Sequence, residues 1–301
     1  MYELIQTGEN TWYMAAPTNV GFFRSGGEVC MIDAGGDREA AERALEHIRA
    51  QVWRLTRLLL THSHADHTGG AAHLRAQTGC RVFAPGISAA ALSHSFLIPV
   101  TLYGGSLCPE MCSRLLRPEE CPCQVLTQED LPAGMSFVRL DGHDMAQAAY
   151  KTTDGVWFTG DAVIGREALK KHRISFIHDP GEHLQSLKAL EELSGELFVP
   201  AHDHPCVDIL PLAAKNRAAV LEVAEDIVTM CAVPQTLDEL TEKALERYHI
   251  RLYMIQYLLV GQTVRSYVSW LVGCGRLRPE YTGTRLTFSA TETRKNESAG
   301  D

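Results

Sequence analysis

Thr61-His62-Ser63-His64-Ala65-Asp66-His67-Thr68-Gly69-Gly70 sets three imidazoles and a carboxylate within six residues, directly after the apolar run Leu58-Leu59-Leu60. The run reads as a buried strand leading into the motif. Neutral imidazole and carboxylate are the usual ligands of zinc, iron and manganese. At a strand end, alternation puts His62 and His64 on one side of the chain. Asp66 and His67 fall where the chain turns into a helix, and Gly69-Gly70 let that turn pack tightly. The stretch therefore offers two ligand sets aimed at neighbouring points. The competing reading, a histidine-rich loop without a metal, is decided by what lies further along the chain.

Working outward towards the start, Thr11-Trp12-Tyr13-Met14, Asn19 to Phe23 and Glu28 to Asp33 read as short strands, with Gly26-Gly27 as a hairpin turn between the last two. Asp33 ends an apolar strand before Ala34-Gly35-Gly36, and taken alone it reads as a turn-former rather than a group supporting a site. Asp37 to about Ala50 is an amphipathic helix with Asp37 as N-cap. On the other side of the motif, Ala71 to about Gln77 continues as a helix ended by Gly79, and Cys80 to Ala84 is a strand, in the α/β manner.

Residues 85–132 read as a less regular insert, of the kind that forms lids. Cys108, Cys112, Cys121 and Cys123 lie in it, but their spacing matches no common zinc knuckle, and incidental thiols are the preferred reading. Regular structure resumes at Ser136 to Asp141, then Ala146 to Tyr150 and Gly155 to Asp161, joined by a Thr-Asp-Gly turn. His143 and Asp161 each follow a glycine at a strand end. Lys170-Lys171-His172-Arg173 is a basic cluster in an apparent loop, read as a solvated face ahead of an anion site. His183 to Glu192 is an amphipathic helix, and the strand Leu197 to Pro200 runs into Ala201-His202-Asp203-His204, a further strand end carrying histidine.

Beyond Pro205 the pattern becomes helical: Ile209 to about Cys231, a helix capped by Thr236, then two more at about 252–260 and 263–274. A hairpin from Leu277 to Phe288 turns at Thr282-Gly283. Helices followed by a small hairpin describe a winged-helix-like domain, which can bind nucleic acid or serve packing and dimerisation. Acidic and basic residues are balanced here and no basic stripe marks a recognition helix, so packing is favoured over nucleic acid, and a homodimer is plausible. The polar tail from Thr291 is expected to be disordered.

The composition fits a soluble globular protein of 301 residues, and no run approaches membrane-spanning length. Met1-Tyr2-Glu3-Leu4-Ile5-Gln6 lacks the basic region and apolar core of a signal peptide, and nine cysteines without one suggest a reducing compartment. The cytoplasm is the expected location. A formal net charge of −9 argues against a polyanion as main partner.

Taken together, His62, His64, Asp66, His67, His143, Asp161 and His202 resemble the ligand set of the metallo-β-lactamase superfamily, whose His-x-His-x-Asp-His hallmark stands unbroken at 62–67. Thr18-Asn19, Asp33 to Gly35, Gly142-His143 and Gly160-Asp161 extend the likeness over residues 11 to 205. The resemblance implies an α+β fold, a four-layer αββα sandwich over residues 1–205; the pattern beyond it adds residues 206–290 as the helical domain and 291–301 as the tail. It implies two divalent ions, zinc first and iron or manganese as alternatives. His62, His64 and His143 would hold one; Asp66, His67 and His202 the other; Asp161 would bridge them, and Asp33 would orient a ligand histidine. Asp144-Met145 after His143 and Asp203-His204 after His202 depart from the family's smaller residues. The implied activity is hydrolysis of a small ester, thioester or lactone, as in the glyoxalase II-like branch. A hydroxide bridging the metals would be the nucleophile, with Asp66 helping to orient it. The alternatives are hydrolysis of RNA or another phosphodiester, and a sulfur dioxygenase using a single iron. A small-molecule substrate is expected.

Overall fold

The structure, a computed structural model, describes residues 1–113, 116–171 and 173–291. Seven strands form one sheet in chain order: β1 (Glu3–Gln6), β2 (Thr11–Ala15), β3 (Val20–Ser25), β4 (Glu28–Ile32), β5 (Arg54–Leu59), β6 (Arg81–Ala84) and β7 (Gln124–Val125). β1 to β4 pair antiparallel and β4 to β7 parallel. A second sheet, in the order β11-β10-β9-β8, is built from β8 (Ser136–Arg139), β9 (Ala148–Lys151), β10 (Val156–Gly160) and β11 (Leu197–Pro200).

Side chains that alternate along a strand must find cover on both faces, and here they do. Val29 and Met31 of β4 and Leu58 of β5 enter a core against helices α1 (Arg38–Ala50), α3 (Ala71–Thr78) and α4 (Gly86–Ser93). Cys30, Ile32 and Leu59, one residue out of phase, enter the core between the sheets with Tyr150, Phe158 and Val199. The second sheet's other face packs Trp157 and Phe198 on Leu187 and Leu190 of α7 (Pro180–Glu191) and on Leu212 at the start of α8 (Leu210–Met230). The layers are therefore helix, sheet, sheet, helix. Burial on both faces explains why these strands are continuous apolar runs rather than alternating ones.

The sheets are stitched together at the edge where β5 ends. The Ala148 amide donates to the Thr61 carbonyl at 2.9 Å, and the Tyr150 hydroxyl to the Leu60 carbonyl at 2.7 Å. Strand ends from both sheets thus meet at one place.

After residue 205, α8, α9 (Leu237–Arg247), α10 (Met254–Gly273) and the hairpin of β12 (Leu277–Thr282) and β13 (Arg285–Ala290) enclose a core that includes Ile227, Leu240, Val264, Tyr267, Leu271 and Phe288. Thr236 caps α9 as expected, in a reciprocal pair with Glu239.

Several expectations differ from the structure. Residues 85–132, expected as a less regular insert, begin with two helices, α4 and α5 (Leu97–Tyr103). These helices are apolar nearly all round, so no amphipathic period announces them. The two helices expected at about 252–260 and 263–274 are the single α10. Gly261 sits mid-helix, where the roughly 1 kcal/mol it costs relative to alanine is tolerated because the helix is packed on both sides. Lys170 and Lys171 end a helix, α6 (Arg166–Lys171), instead of lying in a loop; Lys170 pairs with Glu167 and Arg173 with Glu222, as a solvated face would. His172 and the tail beyond Thr291 lie outside the described residues. β1 was not anticipated. Cys108, Cys112, Cys121 and Cys123 are free thiols, and Cys121 is buried in the first core.

Candidate metal centre

The centre begins two residues past the end of β5. Thr61 and His62 are wholly buried, and His64 leads into the one-turn helix α2 (Ala65–Thr68), which carries Asp66 and His67. His143 follows β8, Asp161 follows β10 and His202 follows β11. Two glycines make the approaches possible. Gly160 has φ +53°, and a Cβ there would sit 2.8 Å from Thr61. Gly142 has φ +107°, and a Cβ there would meet the His183 backbone nitrogen at 2.2 Å. Any larger residue would push Asp161 or His143 out of place.

All seven sequence-derived ligands come together, in two groups: His62, His64 and His143, and Asp66, His67, Asp161 and His202, the donor atoms in each group lying within 4.8 Å of one another. In the first group, His64 Nδ1 lies 2.9 Å from His62 Nε2 and 3.0 Å from His143 Nε2. In the second, His202 Nε2 lies 3.1 Å from Asp66 Oδ2, and His67 Nε2 3.7 Å from the same oxygen. Asp161 joins the groups: Oδ2 faces His143 Nε2 at 3.3 Å, while Oδ1 faces His67 Nε2 at 3.4 Å and His202 Nε2 at 3.5 Å.

These residues fit divalent cations. Tetrahedral zinc at about 2.0–2.1 Å from nitrogen separates its ligand atoms by roughly 3.3 Å, close to the spacings above. His67 Nε2 and Asp161 Oδ1 are buried and make no hydrogen bond, a costly arrangement unless an ion lies between them.

The far side of three of the rings is held. His67 Nδ1 pairs with Asp33 Oδ2 at 2.8 Å, His202 Nδ1 with the Pro17 carbonyl at 2.9 Å, and His62 Nδ1 with the Thr61 hydroxyl at 3.0 Å. Such partners fix which nitrogen is presented to the centre. Asp33 is more than the turn-former it resembles in isolation. It adopts φ +63°, is buried, and accepts from the Thr61 amide at 2.7 Å and its hydroxyl at 2.9 Å as well. Asn19 donates to the carbonyls of Pro200 and Asp203 at 2.8 and 2.9 Å, fixing the loop that bears His202.

Charge divides the two groups. Burial drives His62 and His143 towards the neutral form, His143 down to about 3, so both nitrogens are free to bind a cation. The Asp161 carboxylate holds His202 protonated, up to about 10. Burial opposes the charging of His67, but Asp161, Asp33 and Asp66 outweigh it and raise its pKa. Burial also pushes Asp161 and Asp66 up, and the neighbouring histidines more than reverse this, holding both below the ordinary carboxylate range.

Two further groups shape this place; in the sequence Asp144 stands only as a departure from the family pattern, and Phe176 is unmarked. Asp144 is buried and accepts from the Ser63 amide (3.0 Å) and hydroxyl (2.7 Å), the Ser88 hydroxyl (3.2 Å) and the Met145 amide (2.7 Å). It locks the loop holding His62 and His64 to the loop holding His143; its place directly after a ligand histidine was the available signal. Phe176 sets its ring edge-on to His64 and His143, with centroids 5.0 and 5.9 Å away. No local pattern marks it.

A family model of the metallo-beta-lactamase superfamily matches residues 14–202, well over half of the chain. The chain belongs to this superfamily. Among its relatives, the hydroxyacylglutathione hydrolase of Methylobacillus flagellatus is 29% identical over 170 residues, 56% of this chain and 54% of that protein. The atrochrysone carboxyl ACP thioesterase of Aspergillus fumigatus is 27% identical over 187 residues, 62% of this chain and 50% of that protein. The chain thus spans about half the length of these relatives. Superfamily structures align over nearly the whole chain. A beta-lactamase domain protein from Burkholderia ambifaria aligns with a TM-score of 0.75 at 20% identity, covering 96% of this chain and 94% of its own. A family protein from Thermus thermophilus aligns with a TM-score of 0.68, also at 20% identity, over 94% and 99%. The superfamily fold, an α+β sandwich of four layers, is therefore the fold of this chain. Among the described residues, no single helix is long and apolar enough to cross a membrane.

Proposed function

We propose that this chain is a metal-dependent hydrolase of a small ester, thioester or lactone, working with two divalent ions. The observation that carries the reading is Asp161, which offers one carboxylate oxygen to each ligand group. Divalent ions in this place supply a water acidic enough to ionise near neutral pH, and a Lewis acid for the carbonyl under attack. His62, His64 and His143 would hold the first and Asp66, His67 and His202 the second. Asp66, whose side chain is 46% exposed, stands at the mouth and orients the attacking water through the oxygen His202 does not engage. Phe176 covers His64 and His143 and keeps bulk water off that face. A thioester is the favoured member of the class, because the hydroxyacylglutathione hydrolase and the ACP thioesterase among the relatives are named for thioester chemistry. The helical unit after residue 205 is read as a packing and pocket-forming unit rather than a nucleic-acid module.

The test is a substrate panel of thioesters, lactones, a phosphodiester, RNA and a glutathione persulfide, given to protein of known metal content. Turnover confined to the acyl compounds is expected. Oxygen consumption with the persulfide at one iron per chain would overturn the reading.

The charge division gives a second expectation. Zinc entering the His62 group displaces no proton from His62 or His143, whereas entry beside Asp66 must displace the protons of His67 and His202. Calorimetry of metal-free protein at pH 7, in buffers of differing ionisation enthalpy, should show up to about two protons released with the second equivalent and fewer with the first. The second affinity should accordingly strengthen more steeply as pH rises.

A further inference from the structure

We propose that the cavity between α5 and α10 is a site for an uncharged, apolar acyl chain, so that the hydrolase reading, on which this rests, narrows to esters or thioesters of aliphatic acids. The cavity encloses 410 Å³ and opens onto the metal centre through His64, Asp66, His143 and Asp161. That volume lies within the roughly 300–1,000 Å³ usual for small-molecule sites.

Its wall away from the metal ligands is mostly aliphatic and aromatic, with Thr101, His178, Tyr253, Gln256 and Gln262 as its polar members. Ile98 and Leu102 come from α5, Leu116 and Phe176 from the segments that follow, and Ile255 and Leu259 from one face of α10 at i and i+4. These six belong to one packed cluster with Ala91 and Leu258, so the wall is held in place by the core behind it. Since α10 lies beyond residue 205, the site is completed by the helical unit.

Charge points the same way. Among the described residues lining the cavity, none is lysine or arginine, and the acidic ones are Asp66, Asp144 and Asp161. Asp144 is saturated by four donors, and the other two belong to the metal centre. A carboxylate on the distal end of a ligand would be desolvated against Leu102 and Leu259 with no lysine or arginine to meet it. A methylene chain would replace water at that wall with contact.

The experiment measures binding of straight-chain hydroxamates, from acetohydroxamate to decanohydroxamate, to the zinc-loaded full chain by calorimetry. Affinity is expected to rise about three- to fourfold per methylene until the cavity is full. An eight-carbon hydroxamate ending in carboxylate should bind at least about tenfold more weakly than its methyl-ended homologue. In Leu259→Ala and, separately, Leu102→Ala, the ratio of octano- to acetohydroxamate affinity should fall about five- to tenfold. Using the ratio removes any general loss of fold or metal. A flat length series, or preference for the carboxylate-ended compound, would overturn the proposal. Failure of the hydrolase reading would look different: the length ranking would stand while no acyl compound is turned over.

Discussion

Asp161→Asn is expected to lower kcat by on the order of 10²–10³ and to reduce bound metal from two equivalents to one. The substitution keeps the shape of the side chain and removes its charge. Asp161 is 5% exposed and lies 3.3–3.5 Å from His143, His67 and His202, so little else can replace that charge. His202 owes its raised pKa first to this carboxylate, and without it the imidazole returns towards its ordinary range. An amide can offer one oxygen to one ion, but not an anionic oxygen to each group. The loss should appear in kcat with acyl substrates and in metal analysis of the same preparation. Full turnover with two equivalents retained would show that the bridging position is dispensable.

Asp33→Ala should cost stability as well as activity. The carboxylate accepts from the Thr61 amide and hydroxyl and from His67 Nδ1, all buried. Alanine would leave these donors unpaired and would also place a non-glycine residue without a local hydrogen bond at φ +63°. Removing one partner of such a buried pair typically destabilises by about 3–5 kcal/mol. Freed from Asp33, His67 loses its fixed orientation, for which a loss of roughly 10–100-fold in metal affinity is expected. Asp33→Asn, which tolerates the left-handed backbone and still accepts from Thr61, should recover most of the stability and only part of the metal affinity. Denaturant unfolding of the metal-free variants, alongside zinc titration, separates the two effects. Equal stability in both variants and the parent would show that Asp33 is no more than a turn residue.

The contrast between Asp33 and the His62–His67 stretch shows what a sequence reveals of this fold. The motif is legible because four of its ligands fall within six residues, and their chemistry needs no distant partner to be noticed. His143, Asp161 and His202 are legible because each closes a strand beside glycine or proline in the same way. Asp33 taken alone reads as a turn-former, and only the family resemblance marks it as a supporting group; the physical reason appears when β4 and β5 pair in parallel and bring residues 33 and 61 together, 28 positions apart. Phe176 and Leu259 meet the site across greater separations still, with no period to signal it. Apolar residues on nearly every face hid α4 and α5, since a helix without a polar face has no amphipathic signature. α10 is the opposite case: Gly261 stands between two helical patterns in the sequence, yet the buried residues on either side of it keep one continuous helix.

The central claim is that two ions act together across Asp161. Its most direct test is the zinc content and thioester turnover of His202→Ala beside the parent protein. Two equivalents in the parent, one in the variant, and a turnover lower by on the order of 10² or more are expected. One equivalent in a fully active parent, or undiminished turnover in the variant, would contradict it.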